Sequence, residues 1–329
     1  MNLTCEDIRA IAHGALSVSQ NEEGEIVLRR FNERQMQLYE TVTPEFFRKA
    51  HATSGVRLEF VTDASFVELC YHTLYASSRR FYYFDVFVDD VMMQHFGHED
   101  VAEVKSTLRV DLPEGTHTVK IVFPNLAETR ICSLLIEDGA SLTPVSKKRT
   151  LLCYGDSITQ GYDAKYASQS YTNLLADKLG AEMIDQAIGG EVFRPELVGN
   201  DLGFTPDIIT VAYGTNDWSG RTLERTESHS ADFYARLRAA FPEAKIFAIT
   251  PVWRADNHRI TKVGTFEQGR ALVRNAAMAN GITVIEGDTM IPHIREIFSD
   301  NYLHPNDYGF KFYANALYNA MLPYLSEKE

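Results

Sequence analysis

Two different patterns of apolar residues divide this 329-residue chain, and one gives way to the other near residues 144–148. Residues 50–142 alternate apolar and polar side chains with a period of two, which is typical of half-buried β-strands. Examples are VRLEFV at 56–61, FVELCY at 66–71, FYYFDVFVDD at 81–90 and RICSLLIEDG at 130–139. Short strands at this spacing predict an all-β, jelly-roll-like sandwich, which we place at residues 1–146.

One pair of these strands carries a hairpin signal. STLRVDL at 106–112 and HTVKIVF at 117–123 flank Pro113, Glu114 and Gly115. Two alternating runs that are separated by a few turn-forming residues predict a β-hairpin.

The second part of the chain alternates short apolar strands with helical stretches. The strand patterns are TLLCYG at 150–155, DIITVAYG at 207–214, KIFAITP at 245–251 and ITVIEG at 282–287. The helical patterns cover about 170–179, 182–188, 231–240, 266–280 and 308–324. This order predicts an α/β domain with a parallel sheet at residues 147–329. Ligands bind beyond the carboxyl ends of such strands, so the residues that follow each strand are the candidates for function.

Charge and composition exclude several classes of partner. The formal net charge is −13 with no clustered stripe of Lys and Arg, which disfavours nucleic acids and anionic membrane surfaces. The four cysteines form no CxxC pair, so we expect neither a disulfide framework nor a cysteine metal site. The N-terminal MNLTCEDIRAIAHG lacks the basic and apolar regions of a signal peptide, and we expect a cytoplasmic protein.

Four short motifs lie at predicted strand ends or just before the last helix. GDSITQG at 155–161 follows the first strand and places Ser157 at a strand-to-helix turn. AIGGEVF at 187–193, assigned to the end of a second strand, contains Gly190, and YGTND at 213–217 contains Asn216. LHPND at 303–307 contains His304, which precedes a proline and is therefore expected in an extended loop.

These four residues together indicate acyl transfer to water. Ser157 is a weak nucleophile unless a base accepts its proton, and His304 can do so near neutral pH. The amides of Ser157 and Gly190 and the side chain of Asn216 are predicted to form an oxyanion hole. This chemistry requires no cofactor and no metal, so none is expected. The expected partner is a small acylated substrate.

The same four motifs, in this order, resemble those of the SGNH (GDSL) hydrolase family over residues 148–329. The resemblance implies a flavodoxin-like, three-layer α/β/α fold. It also implies that Ser157 is the nucleophile, that Gly190 and Asn216 are the oxyanion donors of the second and third motifs, and that His304 is the catalytic base.

One position departs from the family pattern, which usually has Asp three residues before the histidine. That position holds Asn301 here, and Asp300 lies one residue further away. We predict that Asp300 orients the imidazole across a one-residue insertion. The alternatives are Asn301 or a backbone carbonyl, which would leave a Ser-His dyad, or Asp307 from the other side. Asn can orient an imidazole but does not stabilise the imidazolium as a carboxylate does.

The order of a β-sandwich before an SGNH domain is similar to that of the family 2 carbohydrate esterases, which remove acetyl groups from sugars. It is also similar to some SGNH acyltransferases of natural-product pathways. The resemblance therefore implies an esterase for small acyl groups, with acetylated carbohydrates as substrates. The alternatives are a lipid or thioester acylhydrolase, an acyltransferase, or an inactive sugar-binding protein. The sequence indicates no oligomeric state.

Substrate contacts are predicted from two segments beside the motifs. TPVWRADNH at 250–258 follows the fourth strand, so Trp253 could form a wall of the acyl pocket or stack on a sugar ring. Arg254 could donate hydrogen bonds to substrate hydroxyls, and Trp218 follows Asn216 closely. The alternative is that these residues pack within loops.

Overall fold

The computed structural model of the protein describes residues 1–100 and 103–325, which belong to two compact units. The first unit contains Met1–Lys147 and Tyr166–Ser168, and the second contains Lys148–Lys165 and Gln169–Glu329. Within the described ranges, no helix combines the length and the apolar character needed to cross a bilayer.

The first unit contains two antiparallel sheets. Its strands are β1 (Ala12–His13), β2 (Ser17–Gln20), β3 (Ile26–Arg29), β4 (Arg57–Thr62), β5 (Phe66–Tyr75), β6 (Tyr82–Val88), β7 (Val91–His98), β8 (Val104–Asp111), β9 (His117–Val122), β10 (Ala127–Ile136) and β11 (Thr143–Pro144). One sheet has the order β1-β4-β9-β6-β7, with β11 paired to β4. The other has the order β2-β3-β10-β5-β8.

Apolar side chains from the two sheets form one core. Phe60 and Val119 of the first sheet belong to the same buried cluster as Leu69, Leu108 and Leu134 of the second. These residues come from the apolar positions of the period-two pattern, which turns alternate side chains of each strand toward one face. The predicted β-sandwich is thereby confirmed, although the unit is not all-β.

The predicted hairpin at 106–123 is wrong. β8 pairs with β5 in one sheet, whereas β9 pairs with β4 and β6 in the other. The turn at 113–115 therefore connects the two sheets, because alternation indicates which face of a strand is buried but not which strand is its partner. A hairpin forms instead between β6 and β7, where Asp89 and Asp90 have φ values of 48° and 63°. Positive φ at both central residues is typical of a type I′ turn.

The first 50 residues add helices that the period-two pattern does not predict. They are α1 (Cys5–Ile11), α2 (Glu33–Val42) and α3 (Pro44–Ala50). Each begins after a residue whose side chain accepts a hydrogen bond from the first turn, namely Thr4, Asn32 and Thr43. Such caps satisfy backbone N–H groups that have no partner within the helix.

The second unit is built on a parallel sheet. Its elements are β12 (Arg149–Gly155), α4 (Ser157–Gln160), α5 (Tyr171–Leu179), β13 (Ala181–Ala187), β14 (Ile208–Ala212), α6 (Thr215–Gly220), α7 (Leu223–Ala240), β15 (Lys245–Ile249), α8 (Phe266–Ala279), β16 (Thr283–Ile285) and α9 (Asp307–Met321). The strand order β13-β12-β14-β15-β16 is the 2-1-3-4-5 order of flavodoxin-like folds. Helix α5 packs against α9, and α7 packs against α8. The predicted three-layer α/β/α fold is confirmed.

The helix predicted at 182–188 is wrong, because residues 182–187 belong to strand β13. Six of its seven residues are buried, Glu182 being half-exposed, and each pairs with a residue of β12. A strand that is covered on both faces shows no period of two and cannot be told from a buried helix by its apolar pattern. The correction places β12 between β13 and β14, and the carboxyl ends of these three strands lie side by side.

Candidate active site

Ser157 lies at the turn between β12 and α4, as predicted from GDSITQG. Asp156 caps the helix, because its Oδ1 accepts a hydrogen bond from Ile158 N at 3.0 Å. Gly155 precedes it, and a Cβ atom there would collide with the side chain of Thr159. The tight turn leaves Ser157 only 6% exposed at the carboxyl edge of the sheet.

His304 connects Ser157 to Asp300. Its Nε2 lies 2.9 Å from Ser157 Oγ, and its Nδ1 lies 2.7 Å from Asp300 Oδ2. An imidazole that donates its Nδ1–H to the carboxylate presents Nε2 as an acceptor for the serine hydroxyl. The three side chains therefore have the arrangement in which a histidine can remove the proton of a serine.

Asp300 is held by its own loop. Its Oδ1 accepts hydrogen bonds from the backbone N–H groups of Tyr302, Leu303 and His304, at 3.0, 2.8 and 3.1 Å. Asn301 has a φ of 60°, a left-handed conformation that Asn tolerates better than most residues. The extra residue of the loop is therefore accommodated as a turn, which leaves Asp300 against the imidazole. Asp307 instead begins α9.

These hydrogen bonds keep Asp300 ionised. Burial alone would raise the pKa of Asp300, but hydrogen bonds from His304 and from the amides of Leu303 and Tyr302 outweigh it and hold the pKa well below its ordinary value. The carboxylate therefore retains its negative charge throughout the neutral range, where it can stabilise a protonated imidazole.

The three predicted oxyanion donors follow β12, β13 and β14. Among the described residues, the N–H groups of Ser157 and Gly190 have no hydrogen-bond partner. Asn216 Nδ2 donates one hydrogen to Glu191 O at 2.9 Å, which leaves its second hydrogen for a ligand. Three donors at one edge of the sheet can meet a negative oxygen.

A buried ion pair fixes the loop that carries Gly190. The Glu191 side chain is fully buried, and its Oε1 accepts a hydrogen bond from Arg194 Nη2 at 3.0 Å. The backbone carbonyl of the same residue holds Asn216. Glu191 was not predicted, because nothing in IGGE distinguishes a loop acid that is buried from one that is solvated.

Tyr162 and Asp163 also adjoin His304 without having been predicted. The Tyr162 ring stacks on the imidazole with a centroid distance of 5.7 Å, and a Cβ at Gly189 would come within 2.6 Å of that ring. Asp163 Oδ2 lies 3.8 Å from His304 Nδ1. Among the described residues, Asp163, Asp300 and His304 are the one group of His, Cys, Asp or Glu side chains close enough together to hold a metal ion. A cation there would compete for the Nδ1 that Asp300 already binds.

Two of the three predicted substrate contacts are corrected by burial. Trp218 is fully buried against Phe266, and its Nε1 donates to Gly264 O at 3.1 Å. Arg254 is 3% exposed, and its Nη1 donates to Thr215 Oγ1 at 2.9 Å. Neither side chain offers a surface to a ligand, because packing and internal hydrogen bonds occupy both.

Trp253 is half-exposed, unlike the other two predicted contacts, and its place at the substrate stays a prediction. Its ring stacks on His293 at a centroid distance of 5.1 Å and contacts Phe298 at 5.4 Å. Phe298 forms a backbone bridge with Pro305, the residue after His304. The indole therefore lies on the loop system that carries the histidine.

Two buried aspartates beside these loops have raised pKa values. Burial raises the pKa of Asp156 to about 6, against the hydrogen bond from Ile158 N. Burial raises the pKa of Asp217 to about 7, against hydrogen bonds from Phe193 N, and the charge of Asp156 adds to this effect. Both carboxyls are therefore more easily protonated in the folded protein than in an unfolded chain.

We predict that the stability of the Asp217→Asn variant, compared with that of wild type at the same pH, increases as the pH rises. Well below pH 4 the Asp217 carboxyl is protonated in both the folded and the unfolded protein. Its contribution to the free energy of unfolding is fully present there and is lost as the pH rises through about 7. Asn has no proton to lose and still offers an oxygen to Phe193 N. The difference in melting temperature between variant and wild type should therefore be larger at pH 8.5 than at pH 5.

The matched control is Asp232→Asn, on the exposed face of α7, where the carboxylate pairs with Arg236. A difference for Asp217→Asn that stays constant, or that shrinks with rising pH, would contradict the buried-acid assignment.

A known protein family matches part of the second unit. Residues 153–312 match the family described as GDSL-like lipase/acylhydrolase. Comparison with curated protein sequences gave no match.

Solved structures share the fold over nearly the whole chain. A salicylyl-acyltransferase from a tetracycline biosynthetic pathway is 23% identical with a TM-score of 0.82, over 95% of this chain and 95% of that chain. A candidate GDSL-like lipase from Bacteroides ovatus is 15% identical with a TM-score of 0.78, over 99% and 98%. A family 2 carbohydrate esterase from Cellvibrio japonicus is 16% identical with a TM-score of 0.69, over 98% and 97%.

At these identities the structural similarity establishes the fold, including the predicted order of a β-sandwich before an α/β domain. The family assignment rests on the match over residues 153–312. The second unit of this chain is a member of the GDSL-like lipase/acylhydrolase family.

Proposed function

We propose that this protein is a serine esterase that removes small acyl groups, with O-acetylated carbohydrates as its substrates. The observation that carries the proposal is the continuous hydrogen-bonded line from Asp300 through His304 to Ser157, with distances of 2.7 and 2.9 Å. Such a line activates a serine hydroxyl near neutral pH.

The first half of the reaction forms an acyl-serine. Ser157 Oγ attacks the ester carbonyl carbon while His304 Nε2 accepts the hydroxyl proton. The carbonyl oxygen becomes an oxyanion, to which the N–H groups of Ser157 and Gly190 and the Asn216 side chain donate. The tetrahedral intermediate then collapses, and His304 returns the proton to the leaving alcohol oxygen. Asp300 stabilises the imidazolium throughout.

The second half returns the free enzyme. A water molecule takes the place of the departed alcohol, and His304 removes one of its protons as it attacks the acyl carbon. The same donors hold the oxyanion, and the proton then passes from His304 to Ser157 Oγ as the carboxylic acid leaves. Each oxyanion donor contributes about 10²- to 10³-fold to the rate.

A small acyl group is supported by the restricted surroundings of the serine. Ser157 is 6% exposed, the Tyr162 ring stacks on His304, and Glu191, which follows Gly190 on the same loop, is buried. A sugar as the leaving alcohol is supported by the half-exposed ring of Trp253 and by the fold shared with a family 2 carbohydrate esterase across 98% of this chain.

Acyl transfer to a hydroxyl is the second candidate function. The structure with a TM-score of 0.82 to this chain is a salicylyl-acyltransferase, and an acyl-serine can react with an alcohol as well as with water. Product analysis with an added sugar acceptor distinguishes the two reactions, since transfer yields a new ester and hydrolysis yields the free acid.

We predict that Ser157→Ala abolishes hydrolysis of p-nitrophenyl acetate, with kcat falling at least about 10³-fold, because the nucleophile is removed. The control is Ser228→Ala on the exposed face of α7, which should retain wild-type kcat. Release of p-nitrophenol at the wild-type rate by Ser157→Ala would exclude this serine as the nucleophile.

Asp300→Asn should lower kcat by about 10³- to 10⁴-fold, because an amide cannot stabilise the imidazolium. An Asn oxygen can still accept from the loop amides, so the melting temperature should remain close to that of wild type. Asn301→Ala is the comparison variant, and its kcat should fall less than about tenfold because its side chain is not expected to orient His304. Similar kcat values for wild type, Asp300→Asn and Asn301→Ala would rule out the proposed role of the Asp300 carboxylate.

Esters of increasing acyl length should be hydrolysed progressively more slowly. The value of kcat/KM should fall at least about tenfold from p-nitrophenyl acetate to the octanoate, because the restricted surroundings of Ser157 leave little room for added methylene groups. Equal or faster hydrolysis of the octanoate would instead indicate a lipid acylhydrolase.

A further inference from the structure

An open groove of about 550 Å³ lies at the C-terminal end of α6. Its lining consists of Ser219, Gly220, Arg221, Arg259, Ile260, Thr261 and Lys262. The groove lies about one helical turn from Asn216, and Ser219 Oγ donates a hydrogen bond to the Asn216 carbonyl at 3.3 Å. It therefore lies at the end of the helix that carries one of the proposed oxyanion donors.

The lining is cationic in a chain with a net charge of −13. Among the described residues, Arg221 and Lys262 form no ion pair, and Arg259 binds Asp256 with an Nη1–Oδ2 distance of 2.7 Å. No carboxylate is among the lining residues. Two positive charges thus remain uncompensated in one groove, which favours an anionic ligand.

The turn that carries Lys262 is rigid. Thr261 and Gly264 exchange backbone hydrogen bonds at 3.0 and 3.1 Å, so Lys262 lies at the tip of a tight turn. Val263 of the same turn is buried against Trp218. The Trp218 indole N–H donates to the Gly264 carbonyl at 3.1 Å. The buried Trp218 therefore anchors the groove.

Arg259 is also positioned before any ligand arrives. Its guanidinium lies over the Trp218 ring with a centroid distance of 5.7 Å, while Asp256 holds its Nη1. Asp256 in turn binds the buried Arg254. Because these contacts orient the cation beforehand, less conformational entropy is lost when it binds an anion.

We propose that this groove binds an anionic group, a carboxylate or a phosphate monoester, on the part of the substrate that is not hydrolysed. The inference rests on the proposed esterase function and narrows its substrate class to acylated compounds that carry a negative charge. Ile260, which is 80% exposed, adds an apolar contact beside the cations.

Two acetylated sugars that differ in one group test the proposal kinetically. Wild type should hydrolyse acetylated glucuronic acid with a kcat/KM about fivefold above that for acetylated glucose, the scale of an exposed charge pair. The ratio should fall toward one in Lys262→Ala and at high ionic strength. The control is Lys178→Ala, an exposed lysine of α5 outside the groove, which should leave the ratio unchanged. The same ratio in wild type and Lys262→Ala would overturn the proposal.

Calorimetric binding of the unesterified sugars separates this proposal from the esterase proposal. Glucuronate and glucose 6-phosphate should bind wild type about fivefold more tightly than glucose, and Lys262→Ala should remove that difference. The tighter of the two anions identifies a carboxylate or a phosphate as the preferred group. If neither ester is hydrolysed but the binding difference is present, the esterase proposal fails and the anion site stands. Equal binding of all three sugars would overturn the anion site.

Discussion

The parallel pairing of β12 with both β13 and β14 is the constraint on which the candidate active site depends. Gly155, the last residue of β12, pairs with Ala187 on one side and Ala212 on the other. The three loops that follow therefore leave the sheet side by side, although they are far apart in sequence. This register brings Ser157, Gly190 and Asn216 to one edge, where the proposed reaction requires a nucleophile and its oxyanion donors together.

The base side of the site is assembled locally rather than by the sheet. Asp300 accepts four hydrogen bonds within one short loop, three from backbone amides and one from His304. The left-handed Asn301 makes room for the additional residue. A carboxylate that is fixed in this way combines a lowered pKa with a defined direction. An aspartate four residues before the histidine can therefore occupy the place that the family pattern assigns to one three residues before it.

The buried cation Arg254 holds loops near the site together, and its internal partners leave it unable to bind a ligand. A guanidinium with 3% exposure requires partners, which Thr215 and Asp256 supply. These contacts tie the loop after β15 to the first residue of α6, next to Asn216. The same loop then continues to Arg259 and Lys262, whose cations line the proposed anion groove. The buried residues thus hold the exposed ones in position.

The sequence by itself determined the two-part layout, the α/β class of the second unit and the motif residues Ser157, Gly190, Asn216 and His304. Period-two alternation and Gly-rich turns after apolar runs are local signals, so they can be read without the fold. Only the tertiary structure decided strand partners, the identity of β13 as a strand, and the burial of Trp218 and Arg254. It also placed Asp300, rather than Asn301 or Asp307, against the imidazole. Each of these features depends on contacts between residues distant in sequence or on the conformation of a single backbone turn. Neither kind of feature produces a periodic pattern in the sequence.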